Sequence, residues 1–118
     1  MSEVPEDAKP ALEMLRGIGG EEMLGMMMQT FLQFADERLA KLQDEARDGR
    51  IDEVGGIAHS LKSSARQLGA HAMGEACAVT EAAARAGDRA VASRGIEAIE
   101  REYAAAKPWM LAVAKGPS

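Results

Sequence analysis

The segment from residue 21 to 49, "EEMLGMMMQTFLQFADERLAKLQDEARDG", decides the fold. Its apolar residues recur at steps of three or four, which is the spacing of one face of an α-helix. They are Leu24, Met28, Phe31, Ala35, Leu39, Leu42 and Ala46. The two glutamates at the start suit a helix N-terminus, and Gly49 marks the end. The segment therefore predicts a long amphipathic helix with one buried face.

Glycine and proline divide the rest of the chain into further helical segments. A short helix before the long one is expected to stop near the glycines at 17, 19 and 20. Asp52 is a plausible N-cap for the third helix, and Pro108 is expected to end or kink the last one, with at most one turn after it. The helices after the long one are predicted at about residues 52–68, 71–86 and 89–107.

Four substantial amphipathic helices with short loops predict an all-α fold, an antiparallel up-down four-helix bundle with a short additional N-terminal helix. Strand-forming residues are scarce, since aromatic residues make up only 3% of the chain. A chain of 118 residues is too short for two domains, so one domain is expected over residues 1–118. Residues 1–8 and 115–118 are expected to be flexible.

Charge and cysteine content exclude several classes of function. A net charge of −5 argues against a nucleic-acid partner. The single cysteine, Cys77, rules out an internal disulfide framework and suits a reducing compartment. No apolar run approaches the roughly 20 residues that cross a bilayer, and the N-terminus lacks the layout of a signal peptide. A cytoplasmic protein without a membrane contact is expected.

The segment "IAHSLKSSARQLGA", residues 57–70, places a histidine among small and basic residues. His59 lies one step from the apolar line of its helix, which comprises Val54, Ala58, Leu61, Ala65 and Leu68. Lys62 and Arg66 share the face of His59 and would favour a negatively charged group on the ring. An ordinary solvated face is the alternative for these two cations.

Two adjacent glycines lie one turn before the histidine. Inside a helix, Gly55 and Gly56 each cost about 1 kcal/mol relative to alanine. One explanation is clearance, because a missing side chain at Gly55 and a small one at Ser63 leave the imidazole open. The alternative is that the helix begins later, near Ile57.

The chemistry open to His59 is narrowed by what the sequence lacks. No Glu-x-x-His, no histidine pair four residues apart and no cysteine pair is present, so no metal site is expected. His71 is expected at the surface near a helix start. No nucleophile elbow and no phosphate-binding glycine loop is found either. Covalent chemistry on the imidazole, with the remaining machinery supplied by a partner, is the interpretation left.

The segment "AHSLKSSARQLGA" resembles the signature of histidine-containing phosphotransfer (HPt) domains, and the likeness runs from about residue 12 to 88. The resemblance places His59 at the phosphoacceptor and Lys62 at the lysine that supports the phosphoryl group. It places Ser64 at a small polar position, and Leu68 and Gly69 at the closing Leu-Gly.

One departure concerns the residue after the lysine, where the family often has glycine and this chain has Ser63. The serine narrows the clearance around His59 slightly and adds a hydroxyl group, which we count with Lys62 and Arg66 as phosphoryl support. Ala65 stands where many members carry serine, and we interpret it as packing.

The resemblance implies a phosphorelay carrier with no cofactor of its own and not an enzyme. His59 would accept a phosphoryl group from an aspartate of a response-regulator receiver domain, which brings Mg²⁺, and pass it to another receiver. A hybrid sensor kinase is a further possible partner, and a monomer is expected. Two alternatives are the dimerisation and phosphoacceptor region of a sensor kinase, and an adaptor bundle in which His59 is not modified.

The long helix has more apolar residues than one buried face needs. Met23, Met27 and Phe34 form a second row beside the first. We interpret them as a docking patch beside His59 for receivers, because methionine adapts to more than one partner. Gly25 would allow close approach there. A broad buried face is the alternative.

Overall fold

A computed structural model describes residues 3–116, and in them the chain forms an all-α four-helix bundle, as predicted. A 3₁₀ turn, Glu6–Ala8, precedes the first helix. The helices are α1 (Lys9–Arg47), α2 (Ile51–Gln67), α3 (His71–Arg85) and α4 (Arg89–Lys115). Each helix packs on the next, and α4 returns to α1. No helix in this part of the chain is both long and apolar enough to cross a membrane.

The predicted short N-terminal helix is the first part of α1. Gly20 has φ 81° and ψ −179°, a non-helical conformation that separates two helical stretches. Leu12 and Leu15 of the first stretch are buried in the core. The chain ends expected to be flexible lie partly outside the described residues, at 1–2 and 117–118. Within the described part, Ala8 is fully buried and Lys115 ends α4.

The three loops between helices have the same hydrogen-bond pattern. In each, a glycine with positive φ follows the helix end: Gly49, Gly69 and Gly87. The N–H of the next residue then bonds back to a carbonyl five residues earlier, as Ala70 does to Ala65 at 2.8 Å. This is the Schellman arrangement, which satisfies carbonyls at the helix end and turns the chain within about three residues. The short loops keep neighbouring helices antiparallel.

The predicted core lines are buried with one exception. Ala46, at the end of the long helix, is exposed because the line reaches the last turn of α1 beside the loop. Asp52 is not the cap of α2, since the helix begins at Ile51 and Arg50 holds the cap position. The clearest cap is Asp88, whose carboxylate accepts the N–H of Val91 at 3.1 Å.

Pro108 does not end the last helix, so that part of the prediction is wrong, because α4 continues through it to Lys115. Proline removes one backbone donor from a helix interior, at a cost of about 3 kcal/mol. The turns that follow it bury Trp109, Met110 and Ala114 in the core. Burial of these side chains offsets the loss, because a large apolar side chain contributes about 1.5–3 kcal/mol when fully buried.

Replacing Gly69 with alanine is expected to lower the free energy of unfolding by more than about 1 kcal/mol. Its φ is +87°, and a Cβ there would lie 2.9 Å from the backbone of Ala8. Gly56→Ala is the matched control, because a Cβ at Gly56 meets nothing within 4 Å and alanine favours a helix interior by about 1 kcal/mol. The urea concentration at the midpoint of unfolding should therefore fall for Gly69→Ala and rise for Gly56→Ala. Equal effects would contradict the account of the α2–α3 loop.

Candidate functional site

His59 lies on α2 where this helix faces α3. The apolar line of α2 is buried in the bundle, and His59, one step away, has a side chain that is 57% exposed. Its ring nitrogen Nδ1 lies 2.9 Å from Oε2 of Glu81 on α3. One edge of the imidazole is therefore fixed by the neighbouring helix, and the rest of the ring is open to solvent.

Glu81 is the buried acidic residue on which the site is built. Its side chain is only 6% exposed, and both carboxylate oxygens have partners. Oε1 accepts from Nζ of Lys62 at 2.7 Å, and Oε2 pairs with Arg85 at 2.5 Å as well as with His59. The hydrogen bond from Lys62 lowers the pKa of Glu81 below its ordinary 4.5, burial opposes this, and the hydrogen bond from His59 lowers it further. Glu81 is therefore a carboxylate at neutral pH.

The charge of Glu81 sets the tautomer of the histidine. A carboxylate only accepts hydrogen bonds, so Nδ1 must carry the hydrogen in the contact with Glu81. In the neutral imidazole, Nε2 is then the unprotonated nitrogen with a free electron pair. The arrangement can present a neutral, oriented nitrogen nucleophile at the surface, and a negative charge behind the ring balances any positive charge that it gains.

The other predicted support residues lie in different surroundings. Lys62 reaches Glu81, and its side chain is 22% exposed. Arg66 lies across Gly74 of α3, where a Cβ would be 2.7 Å from its Cγ, and its guanidinium is 3.7 Å from Glu75. Ser63 is exposed. Lys62 thus joins the histidine and the glutamate in one cluster, whereas Arg66 connects α2 to α3 elsewhere.

The two glycines before His59 both lie inside α2, so the alternative of a helix that begins near Ile57 is wrong. Gly55 is buried, and a Cβ there would lie 3.2 Å from the Cβ of Ala84. Gly55 therefore lets α2 pack closely on α3, and its role in clearance for the imidazole stays a prediction. Gly56 is exposed with open space beside it.

The second apolar row of α1 lines an open groove between α1 and α2. Met23, Met27 and Phe34 are half-buried against the core, and they form the wall of a groove of about 530 Å³. The other lining residues are Met26, Thr30, Phe31, Ser64, Gln67 and Leu68. The groove meets α2 five to nine residues beyond His59, at Ser64, Gln67 and Leu68. Gly25 does not open onto it, since a Cβ there would meet the carbonyl oxygen of Ala114 on α4 at 3.2 Å.

Sequence reasoning missed two members of the site, Glu81 and Arg85. A signal for Glu81 exists, because it falls on the buried face of α3 with Cys77, Thr80 and Ala84. A charged group on such a face needs partners. Arg85 follows it by four residues, the spacing of an ion pair on a helix. That these residues meet His59 depends on how α3 packs against α2, which the spacing does not give.

Three further observations concern reactive groups. Within residues 3–116, no group of three histidine, cysteine or acidic side chains is placed to hold a metal ion. Cys77 is buried and free, and burial raises the pKa of its thiol to about 12, so it stays protonated. His71 is exposed at the start of α3.

Comparison with known proteins agrees with this geometry. Residues 26–109, which make up more than half of the chain and include all members of the His59–Glu81 cluster, match the family model described as Hpt domain. No curated protein and no solved structure shows a significant match to the chain.

Proposed function

Because the chain belongs to the Hpt domain family, we propose that it is a phosphorelay carrier that accepts a phosphoryl group on His59 from one receiver domain and passes it to another. The observation that carries the proposal is the 2.9 Å contact between Nδ1 of His59 and the buried carboxylate of Glu81. It holds the ring in the tautomer whose Nε2 is nucleophilic. We also propose that the protein is cytoplasmic and monomeric.

The proposed transfer is a displacement at phosphorus. The electron pair of Nε2 attacks an aspartyl phosphate on the receiver, so an N–P bond forms while the bond from phosphorus to the aspartate oxygen breaks. The electron pair of that bond stays with the aspartate as a carboxylate. Nδ1 keeps its hydrogen, and the positive charge that the ring gains is balanced by Glu81. Onward transfer runs the same step in reverse with a second receiver.

Most of the remaining contribution to this reaction is electrostatic, because phosphoryl transfer needs alignment and charge neutralisation more than side-chain chemistry. Lys62 is the lysine of the cluster, and its ammonium group would bind both Glu81 and the phosphoryl oxygens. Ser63 and Ser64 follow it on α2. The receiver would supply Mg²⁺ and its own acidic pocket. On this account the chain is a stoichiometric carrier and not an enzyme.

The experiment that tests the relay uses two receivers. A receiver labelled on its aspartate is mixed with the protein and Mg²⁺, and acid-labile label on the protein is followed before and after a second, unlabelled receiver is added. Label that moves onto the protein and then onto the second receiver supports the proposal. Stable binding of receivers with no transfer would support the adaptor alternative. A dimer that is labelled from ATP when a kinase catalytic domain is added would support the sensor-kinase alternative.

Glu81→Ala is expected to slow phosphoryl uptake about ten- to a hundredfold, because one hydrogen bond to a charged group contributes about 1.5–3 kcal/mol. The maximal rate should fall more than the receiver concentration at half-maximal rate rises, since the ring loses its orientation and not its docking surface. Rapid-quench mixing with labelled receiver at several concentrations measures both the maximal rate and the concentration at half-maximal rate. Glu81→Gln keeps an acceptor for Nδ1–H and should recover part of the rate.

The matched control for this prediction is Glu75→Gln, which removes a carboxylate that is 74% exposed on the same helix. It should transfer at the wild-type rate. Circular dichroism checks that each variant remains folded. A Glu81→Ala variant that is folded and transfers at the wild-type rate would contradict the role of Glu81.

We extend the proposal to the groove between α1 and α2, with Met23, Met27 and Phe34 as receiver-docking residues. Met26 lines the same groove and is 61% exposed, so a charge there should not disturb folding. Met26→Glu is expected to raise the receiver concentration at half-maximal rate at least about tenfold, because an apolar contact would then bury a carboxylate. The maximal rate should stay unchanged.

Met14→Glu is the control for the groove, since Met14 is 68% exposed on the first part of α1 and does not line it. This variant adds the same charge and should leave both kinetic quantities unchanged. Equal shifts for the two variants would point to net charge instead of the groove, and no shift for Met26→Glu would remove the groove from the docking surface.

A further inference from the structure

We infer that Arg85 is the second cation of the phosphorylated state, and that it contacts the phosphoryl group on His59 from α3 while Lys62 contacts it from α2. The inference rests on the proposed function and adds a residue to it. Arg85 lies 26 residues after the histidine, outside the segment that drew attention to His59. Only the packing of α3 on α2 brings it to the site.

The geometry places Arg85 beside the imidazole through one shared atom. Oε2 of Glu81 lies 2.5 Å from Nη2 of Arg85 and 2.9 Å from Nδ1 of His59. The guanidinium and the ring are therefore neighbours on the same carboxylate oxygen. The carboxylate itself is buried, whereas the side chain of Arg85 is 71% exposed and that of His59 is 57% exposed. Both groups are therefore accessible to a phosphoryl group, while the carboxylate that they share is not.

The number of donors and the charge balance favour a second acceptor for Arg85. A guanidinium has five N–H donors in a planar fork that suits phosphate oxygens. In the unphosphorylated site, Glu81 is the side-chain acceptor that Arg85 contacts within the described residues. A phosphoryl group on Nε2 adds about two negative charges beside the carboxylate, since N-linked phosphate resembles other phosphoryl groups in this respect. Lys62 alone leaves that charge partly uncompensated.

The neighbouring arginine of α2 is less well placed for this role. Arg66 is held across Gly74 and near Glu75, on the opposite side of Lys62 along the helix from His59. Arg85 therefore has the role of phosphoryl support that the sequence predicts for Arg66. We expect Arg66→Gln to leave the phosphorylated state unchanged.

The test measures the equilibrium of transfer between one phosphorylated receiver and the protein, together with the lifetime of the phosphohistidine after the receiver is removed. Arg85→Gln should shift the equilibrium toward the receiver about tenfold, the value of one charge-assisted hydrogen bond. The difference from wild type should shrink in 0.5 M KCl because the guanidinium is exposed. Arg85→Lys should recover part of the shift, since it restores the charge without the fork.

Arg47→Gln is the matched control, because Arg47 is 72% exposed and pairs with Asp44 at the far end of α1. Urea unfolding of each variant checks that a shift does not come from lost stability. If wild type takes up label and Arg85→Gln matches it in equilibrium, lifetime and salt dependence, the inference is wrong and the proposed function stands. If wild type takes up no label from receivers or from phosphoramidate, the proposed function fails with it.

Discussion

His59→Gln is expected to take up no acid-labile phosphoryl label from any receiver that labels the wild-type protein. The substitution removes the nitrogen that forms the N–P bond, and no change elsewhere in the site replaces it. Glutamine has a similar length and a polar end, and the side chain of His59 is 57% exposed, so the fold should be unaffected. Label uptake with Mg²⁺ and circular dichroism of the same sample give the two readouts.

The control for this prediction is the other histidine. His71 is exposed at the start of α3, away from Glu81, and His71→Gln should be labelled like the wild type. A His59→Gln variant labelled at the wild-type level would place the phosphoryl group on another residue. Receiver binding by both forms without any labelling would favour the adaptor alternative.

Trp109→Ala is expected to lower the free energy of unfolding by about 3–5 kcal/mol, the range for loss of a buried tryptophan. Trp109 is 5% exposed and belongs to the core, on the part of α4 that follows Pro108. This segment offsets the backbone donor that proline removes, so its loss should destabilise the whole bundle. Unfolding in urea followed by far-ultraviolet circular dichroism measures the change, because Trp109 is the only tryptophan in the sequence.

Leu111→Ala is the matched control, since Leu111 is two residues further along and 51% exposed. Its substitution should change the free energy of unfolding by no more than about 0.5 kcal/mol. If both variants unfold at the wild-type urea concentration, the C-terminal part of α4 does not pack as described. The helix would then end near Pro108, as the sequence alone suggests.

The fold was largely predictable because its signals are local. Steps of three and four between apolar residues mark the buried face of each helix, and glycines at 49, 69 and 87 mark the turns. The error at Pro108 has a physical cause: the intrinsic preference of proline is a local quantity, whereas burial of Trp109 and Met110 depends on the whole bundle. The prediction that Ala46 is buried is wrong because the spacing of three and four continues to the end of α1, whereas the core ends before it.

The site was predictable only in the part that lies on one helix. His59 and Lys62 are three residues apart, so they share a face in any α-helix. Glu81 and Arg85 reach them from α3, and the distance between two helices at a given height depends on packing details such as the contact of Gly55 with Ala84. The sequence also predicts Arg66 as phosphoryl support because it shares that face, and the position of its side chain across Gly74 again depends on how α3 packs on α2.

The central claim is that Glu81 holds His59 with its hydrogen on Nδ1, so that Nε2 carries the phosphoryl group. The most direct test is nuclear magnetic resonance of the phosphorylated protein labelled with ¹⁵N, with couplings that connect the imidazole nitrogens to phosphorus and to hydrogen. We expect phosphorus bonded to Nε2 of His59 and a slowly exchanging hydrogen on Nδ1. Phosphorus on Nδ1, or on a residue other than His59, would contradict the account.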